Sequence, residues 1–144
     1  MKTYEIFCNT LTRMGIEYEE TEHEIKFKYC RYNLKTLKYD DEIFLNISMC
    51  YVGELEFNPR FVKPDTLYHR ILEVCNVVNM SYNGIKVLVN NFCKVDDRKV
   101  RFEILSIMEF IPFSVNLEKI SVGLFFSLQD FMRLLRDSDF ELKS

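Results

Sequence analysis

KPDTLYHRILEVCNVVNMSYNGIKVLVNNFCKVDDRKVRFEILSIMEF, residues 63–110, decides the fold. Pro64-Asp65-Thr66 reads as a helix start, because proline suits the first helical position, where its missing N–H has no intrahelical partner to lose. Leu67, Ile71, Leu72, Val74, Cys75 and Val78 then recur at helical spacing. Asn83-Gly84 breaks that pattern, and Ile85-Lys86-Val87-Leu88-Val89 opens a period of two. Two strands are expected near 84–92 and 98–110, joined through Lys94 to Asp97. In the second, Val100, Phe102 and Ile104 alternate with Lys99, Arg101 and Glu103. From Ile107 to Ile111 nearly every residue is apolar, so that end is expected to be covered on both faces. Pro112 stops the strand, because proline has no N–H to give the ladder. The stretch is a helix laid against a β-hairpin.

Outward from this centre, Tyr4, Phe7, Cys8, Leu11 and Met14 predict an amphipathic helix over residues 2–14, ended by Gly15. Glu17, Glu19, Glu20, Glu22 and Glu24 form an acidic run. It reads either as a solvated connector or edge strand, or as a site for a cation or basic partner, and acidic runs usually just face water. Ile25, Phe27 and Tyr29 alternate with Lys26 and Lys28, and Tyr32 to Tyr39 alternates less cleanly, as an edge strand or hairpin partner would. Asp40-Asp41 is a turn signal. Ile43, Leu45, Ile47, Met49 and Tyr51 then make the cleanest alternating row in the chain, with Gly53 to Lys63 as a connection to the central helix.

Ser114 or Asn116 can cap a last helix of roughly 20 residues. Leu117, Ile120, Leu124, Leu128, Phe131 and Leu135 fall within about 40° of one line at 100° per residue. Val122 and Phe126 fall near the opposite side, beside Arg133. That second patch is either covered within the monomer or a self-association surface, and Val122, Phe126 and Arg133 are the candidate interface. The tail after Asp137 is charged and expected to fray.

The whole is α+β: helix, three strands, helix, two strands, helix, with an antiparallel five-stranded sheet and helices packed on one face. At 144 residues without repeat or linker, 1–144 reads as a single domain large enough to bury its own core. Thirteen Phe and eight Tyr with no Trp predict a core built on aromatic rings. The net charge of −3, with scattered Lys and Arg, argues against nucleic acid and anionic membrane surfaces, which select basic patches. No apolar run is long enough to span a bilayer, and Met1 to Gly15 lacks a signal-peptide core. Cysteines 8, 30, 50, 75 and 93 have neither disulfide-framework nor zinc spacing, so buried reduced thiols in the cytoplasm are the expectation.

Sites for chemistry are scarce. His23 and His69 are the two histidines, and Cys75 lies about 240° around the helix from His69, too far to pair within it. Asp40-Asp41 and Asp96-Asp97 read as turn formers, and the glycines at 15, 53, 84 and 123 make no phosphate loop. No catalytic, metal or cofactor-binding residue is assigned, and no cofactor is expected.

The order of elements, with Ile71-Leu72-Glu73-Val74-Cys75-Asn76-Val77-Val78-Asn79 running into Gly84-Ile85-Lys86-Val87-Leu88-Val89 and a long helix after Pro112, resembles the YbjN and type III secretion chaperone-like family. The chain is less acidic than typical secretion chaperones, so the likeness is to the broader YbjN-like grouping. The resemblance implies a small, non-enzymatic, commonly dimeric protein that binds other proteins in a chaperone-like role, and it carries over no catalytic residue. Two rival readings stand beside it. One is a small-ligand or hydrolytic protein with a pocket between sheet and helices near Cys75, His69 or Tyr82. The other is a subunit whose partner covers Ile107 to Ile111.

Overall fold

The computed structural model of the chain describes residues 2–38 and 43–137. The elements run α1 (Thr3–Arg13), β1 (Tyr18–Glu20), β2 (Glu24–Tyr29), β3 (Tyr32–Leu37), β4 (Leu45–Glu56), α2 (Pro64–Ser81), β5 (Ile85–Asp96), β6 (Lys99–Phe110), a 3-10 turn at Pro112–Ser114 and α3 (Leu117–Asp137). The strands form one antiparallel open sheet in the order β1-β2-β3-β4-β6-β5. The expected α+β class and element order therefore hold, with six strands in place of five. Two compact units share the described residues, one built from 2–38, 43–49 and 107–124, the other from 50–106 and 125–137.

The sixth strand, β1, is the acidic run itself. Three residues suffice because each is satisfied across the ladder: Tyr18 faces Phe27, Glu19 faces Lys26 and Glu20 faces Ile25. The opposite charges of Glu19 and Lys26 favour the pairing. On the next ladder Lys26 stands opposite Lys35, a like-charge pair that would oppose it. Glu24 resolves the conflict by reaching both ammonium groups, at 3.3 and 3.5 Å.

α1 ends as the sequence predicts. Gly15 takes a φ of 72°, which a residue without Cβ adopts freely, while its N–H bonds Thr12 C=O and Ile16 N–H bonds Leu11 C=O. Phe7 and Leu11 are fully buried, and the Phe7 ring meets Phe27 edge-on at 5.5 Å and Phe110 at 4.9 Å. Rings with a positive edge and negative face prefer this geometry. The β2–β3 turn places Cys30 at a φ of 54°, left-handed backbone more often given to Gly or Asn. β4 begins at Leu45, not Ile43, which is 67% exposed. Asp40-Asp41 and the charged tail lie outside the described residues.

In the second unit, β4 continues through Gly53 to Glu56, where the sequence suggested a connection. The reason is tertiary. A Cβ at Gly53 would stand 2.5 Å from Phe102 Cζ and 3.0 Å from Tyr51 Cε1, so the Phe102 ring occupies the space a side chain would need. Phe102 itself is buried and meets Phe131 of α3 edge-on at 6.1 Å. Val100, Phe102, Ile104 and Ser106 make the inward row of β6, with Ser106 bonded to the equally buried Ser127 at 2.5 Å. β5 runs four residues further than expected, and of its side chains Val87 alone is buried.

In the first unit, Ile107 and Met108 are half-buried and Glu109 exposed, so the far end of β6 is not sealed on both faces as its apolar sequence suggested. Asn116 caps α3 by accepting Lys119 N–H at 3.1 Å, and all six residues of the predicted stripe are buried.

Gly53→Ala is expected to cost about 1–3 kcal/mol through overpacking against Phe102. A fall in the urea midpoint with an unchanged m-value checks it.

Candidate interaction surface

α2 is tied to β5 by a single side chain. Asn79 Nδ2 donates to Val87 C=O at 2.9 Å, and Val87 N–H donates to Asn79 Oδ1 at 2.6 Å. The amide presents the donor and acceptor that another strand would present, so it satisfies both backbone groups of Val87. At the helix end Gly84 takes a φ of 78° and turns the chain into β5. Tyr82, just past α2, donates its hydroxyl to Asp130 of α3. Burial first, and that bond second, push the Tyr82 phenol up to about 12. Asp130 also meets Arg133 at 3.6 Å. α2, β5 and the second half of α3 are thus fastened by three polar side chains that the sequence reading did not single out as fasteners.

The three residues of the candidate interface lie on the solvent side of α3. Val122 is 37% and Phe126 49% exposed, while the Arg133 side chain is 61% exposed and held by Asp130. Val122 belongs to the first unit, and Phe126 and Arg133 to the second. Their spacings of four and seven set them within about 40° of one another around the helix. Phe126 rests against Phe125, with ring centroids 6.0 Å apart. Among the described residues of α3, the smaller apolar patch is therefore partly open to solvent.

The residues of the rival catalytic reading are not gathered. His69 is exposed beside Tyr68, whereas Cys75 is buried on the core side of α2. Burial raises the Cys75 thiol to about 11, which keeps it protonated and a poor nucleophile at neutral pH. Tyr82 is committed to Asp130. A shallow groove of about 480 Å³ lies where β4 ends against the β5–β6 turn, lined by Glu56, Phe57, Asn58, Asp96, Arg98 and Lys99. Its shape is fixed by Phe57 N–H donating to Arg98 C=O and by Arg98 N–H donating to Asp96, with Asp96 acting as the turn former the sequence suggested.

In the first unit, Cys8 donates to Glu20 at 3.5 Å and Lys38 donates to the same carboxylate at 2.8 Å while lying over the Tyr4 ring. Burial, then Glu20, raises the Cys8 thiol to about 11. The hydrogen bond from Lys38 is the main cause that holds Glu20 below its usual range, and that bond in turn raises Lys38. Among the described residues no three His, Cys, Asp or Glu side chains gather as metal ligands would.

None of the five cysteines is in a disulfide, and Cys8 and Cys75 alone are buried. Cys30, Cys50 and Cys93 are exposed, contrary to the expectation of buried thiols. Cys30 sits in a turn, Cys50 falls on the outward row of β4, where it donates to Glu103, and Cys93 belongs to the exposed end of β5.

No protein-family model and no curated protein matches the sequence. Two solved structures are similar to the chain at a distance. An uncharacterized protein from Methanothermobacter thermautotrophicus is 8% identical, with a TM-score of 0.51 over 97% of this chain and 99% of its own. YbjN from E. coli is 12% identical, with a TM-score of 0.47 over 94% of this chain and 90% of its own. At 8% identity the likeness to the Methanothermobacter protein is one of fold alone.

Two outcomes follow for solution chemistry. Alkylation of the native protein followed by mass analysis is expected to modify Cys30, Cys50 and Cys93, with Cys8 and Cys75 reacting only on unfolding. Glu20 titrates below its ordinary value, so its bond to Lys38 contributes stability above about pH 4.5 and loses it as pH falls through the folded value. Lys38→Met is expected to cost about 0.5–1 kcal/mol at neutral pH, with the deficit closing as pH falls through the lowered Glu20 value, as urea melts across an acid pH series would read.

Proposed function

We propose that the chain is a non-enzymatic protein-binding module of chaperone-like kind, working as a homodimer in the reducing cytoplasm. The observation that carries the protein-binding part of this reading is on α3, where Phe126 lies half-open to solvent beside a charge held in place at Arg133, and Val122 is likewise half-open. An aromatic and an aliphatic side chain flanked by an oriented arginine is the composition of a contact centre. Committed hydrogen bonding at Tyr82 and protonated thiols at Cys8 and Cys75 also favour binding over nucleophilic chemistry. Five cysteines without a disulfide suit a reducing compartment.

Magnitude limits what the α3 line does by itself. Two half-exposed side chains release about 2–3 kcal/mol when covered, against the roughly 800 Å² per partner that a stable interface buries. The line is therefore at most the centre of a contact, whether with a second copy or with another protein, and a stable homodimer draws on further surface.

Light scattering at tens of micromolar is expected to give twice the 17.3 kDa chain mass, and a monomer would overturn the homodimer. Phe126→Glu, an exposed substitution, is expected to leave the circular dichroism and melting midpoint unchanged. It should abolish co-purification of the partner that the wild-type chain retains from its native host. Equal retention by the two chains would overturn the assignment of the α3 line.

A further inference from the structure

β5 is an edge of the sheet, and its outward backbone groups can be read one by one. Only Asp97 and Arg98 separate β5 from β6, so Asp96 and Lys99 face each other at the closed end of the hairpin. Successive residues of an antiparallel strand send their N–H and C=O to opposite sides. Counting back from Asp96, every second residue bonds toward β6, while Val95, Cys93, Asn91, Val89 and Val87 turn their groups away from it. Val87 bears this parity out, because both of its groups are held by Asn79 instead of by a strand.

The edge is thereby bounded. Asn79 closes it at Val87, and the turn closes it after Asp96. Between them Asn91, Cys93 and Val95 are exposed and Val89 is half-buried. Among the described residues no strand lies on the outer side of β5. The other edge of the sheet is blunted by being three residues long and acidic, whereas β5 is twelve residues long and uncharged from Leu88 to Cys93. A long uncharged edge left open is a template for strand pairing.

We infer that two copies of this chain join edge to edge through β5, antiparallel, with Phe92 on the twofold axis. The inference rests on the homodimer reading above and supplies its contact. The open segment has Phe92 at its midpoint, and pairing about that point sets Val89 against Val95 of the second copy and Asn91 against Cys93 of the second copy. These four residues in each chain form about eight backbone hydrogen bonds. Phe92 meets its own counterpart, and each ring also packs edge-on against Tyr68 of its own chain at 5.1 Å. Lys94 falls opposite Asn90, so no like charges oppose each other within the segment. Moving the axis to Asn90 would place Lys86 against Lys94 and would call on Val87, whose groups Asn79 holds. Sequence and geometry select the same register.

Residues flanking such an axis without direct backbone bonds lie about 4.5 Å apart at Cα, within disulfide range. The experiment uses the full chain with Cys30, Cys50 and Cys93 changed to Ser. Phe92→Cys is expected to link into a disulfide dimer on mild oxidation, and Val95→Cys, which faces Val89, is expected to stay unlinked. Asn91→Pro removes one outward N–H without touching the bonds to β6, and is expected to weaken association tenfold or more with unchanged circular dichroism. A wild-type dimer in which Phe92→Cys links no faster than Val95→Cys, or which survives Asn91→Pro, overturns the edge contact and leaves the homodimer standing. A wild-type monomer overturns both. Such a monomer, whose host partner is lost on Asn91→Pro, would give the edge to a strand of another protein instead.

Discussion

The second unit depends on one amide. Asn79 gives Val87 the donor and acceptor of a missing strand, and in doing so it fixes the end of α2 beside the start of β5. A helix and an edge strand normally meet through side chains alone, which leaves the strand's outward backbone to water. Here the contact is made to the backbone itself. It anchors the helix end at Val87, and Tyr68 of the same helix meets β5 again at Phe92.

Around that clamp the unit is held by groups of opposite character. The apolar part is a run of angled ring contacts: Tyr51 and Phe102 tilted, then Phe102 and Phe131 edge-on. The polar part is outside it: Glu54 between Lys99 at 3.5 Å and Arg101 at 3.4 Å on the outward face of β4 and β6. Exposed pairs of this kind contribute little each, about 0–1 kcal/mol, so the stability resides in the rings and the ion pairs keep that sheet face solvated.

What was legible in the sequence was what local periodicity controls. The six-residue stripe of α3, the Asn116 cap, the Pro64 start and the Gly15 stop all stand where spacing and backbone chemistry placed them. What was not legible depends on distant neighbours. Gly53 looks like a loop residue until Phe102 is seen to fill its missing side chain. The acidic run reads equally as a solvated connector or an edge strand until Lys26 is seen across from Glu19, which settles it as a strand. The exposure of Cys30, Cys50 and Cys93 follows from a turn, a strand face and a sheet edge, none of which residue type reveals. The open line on α3 was visible as a second apolar patch, whereas the open edge of β5 was not, because strand order is a property of the whole sheet.

The notch at Gly53 has an evolutionary corollary. Since one ring fills the space of one absent methyl group, positions 53 and 102 form a size-matched couple: a larger residue at one requires a smaller residue at the other. Penalties for Gly53→Ala and Phe102→Leu made together should then fall short of their sum. Among diverged sequences with this fold, the two sites should drift in tandem.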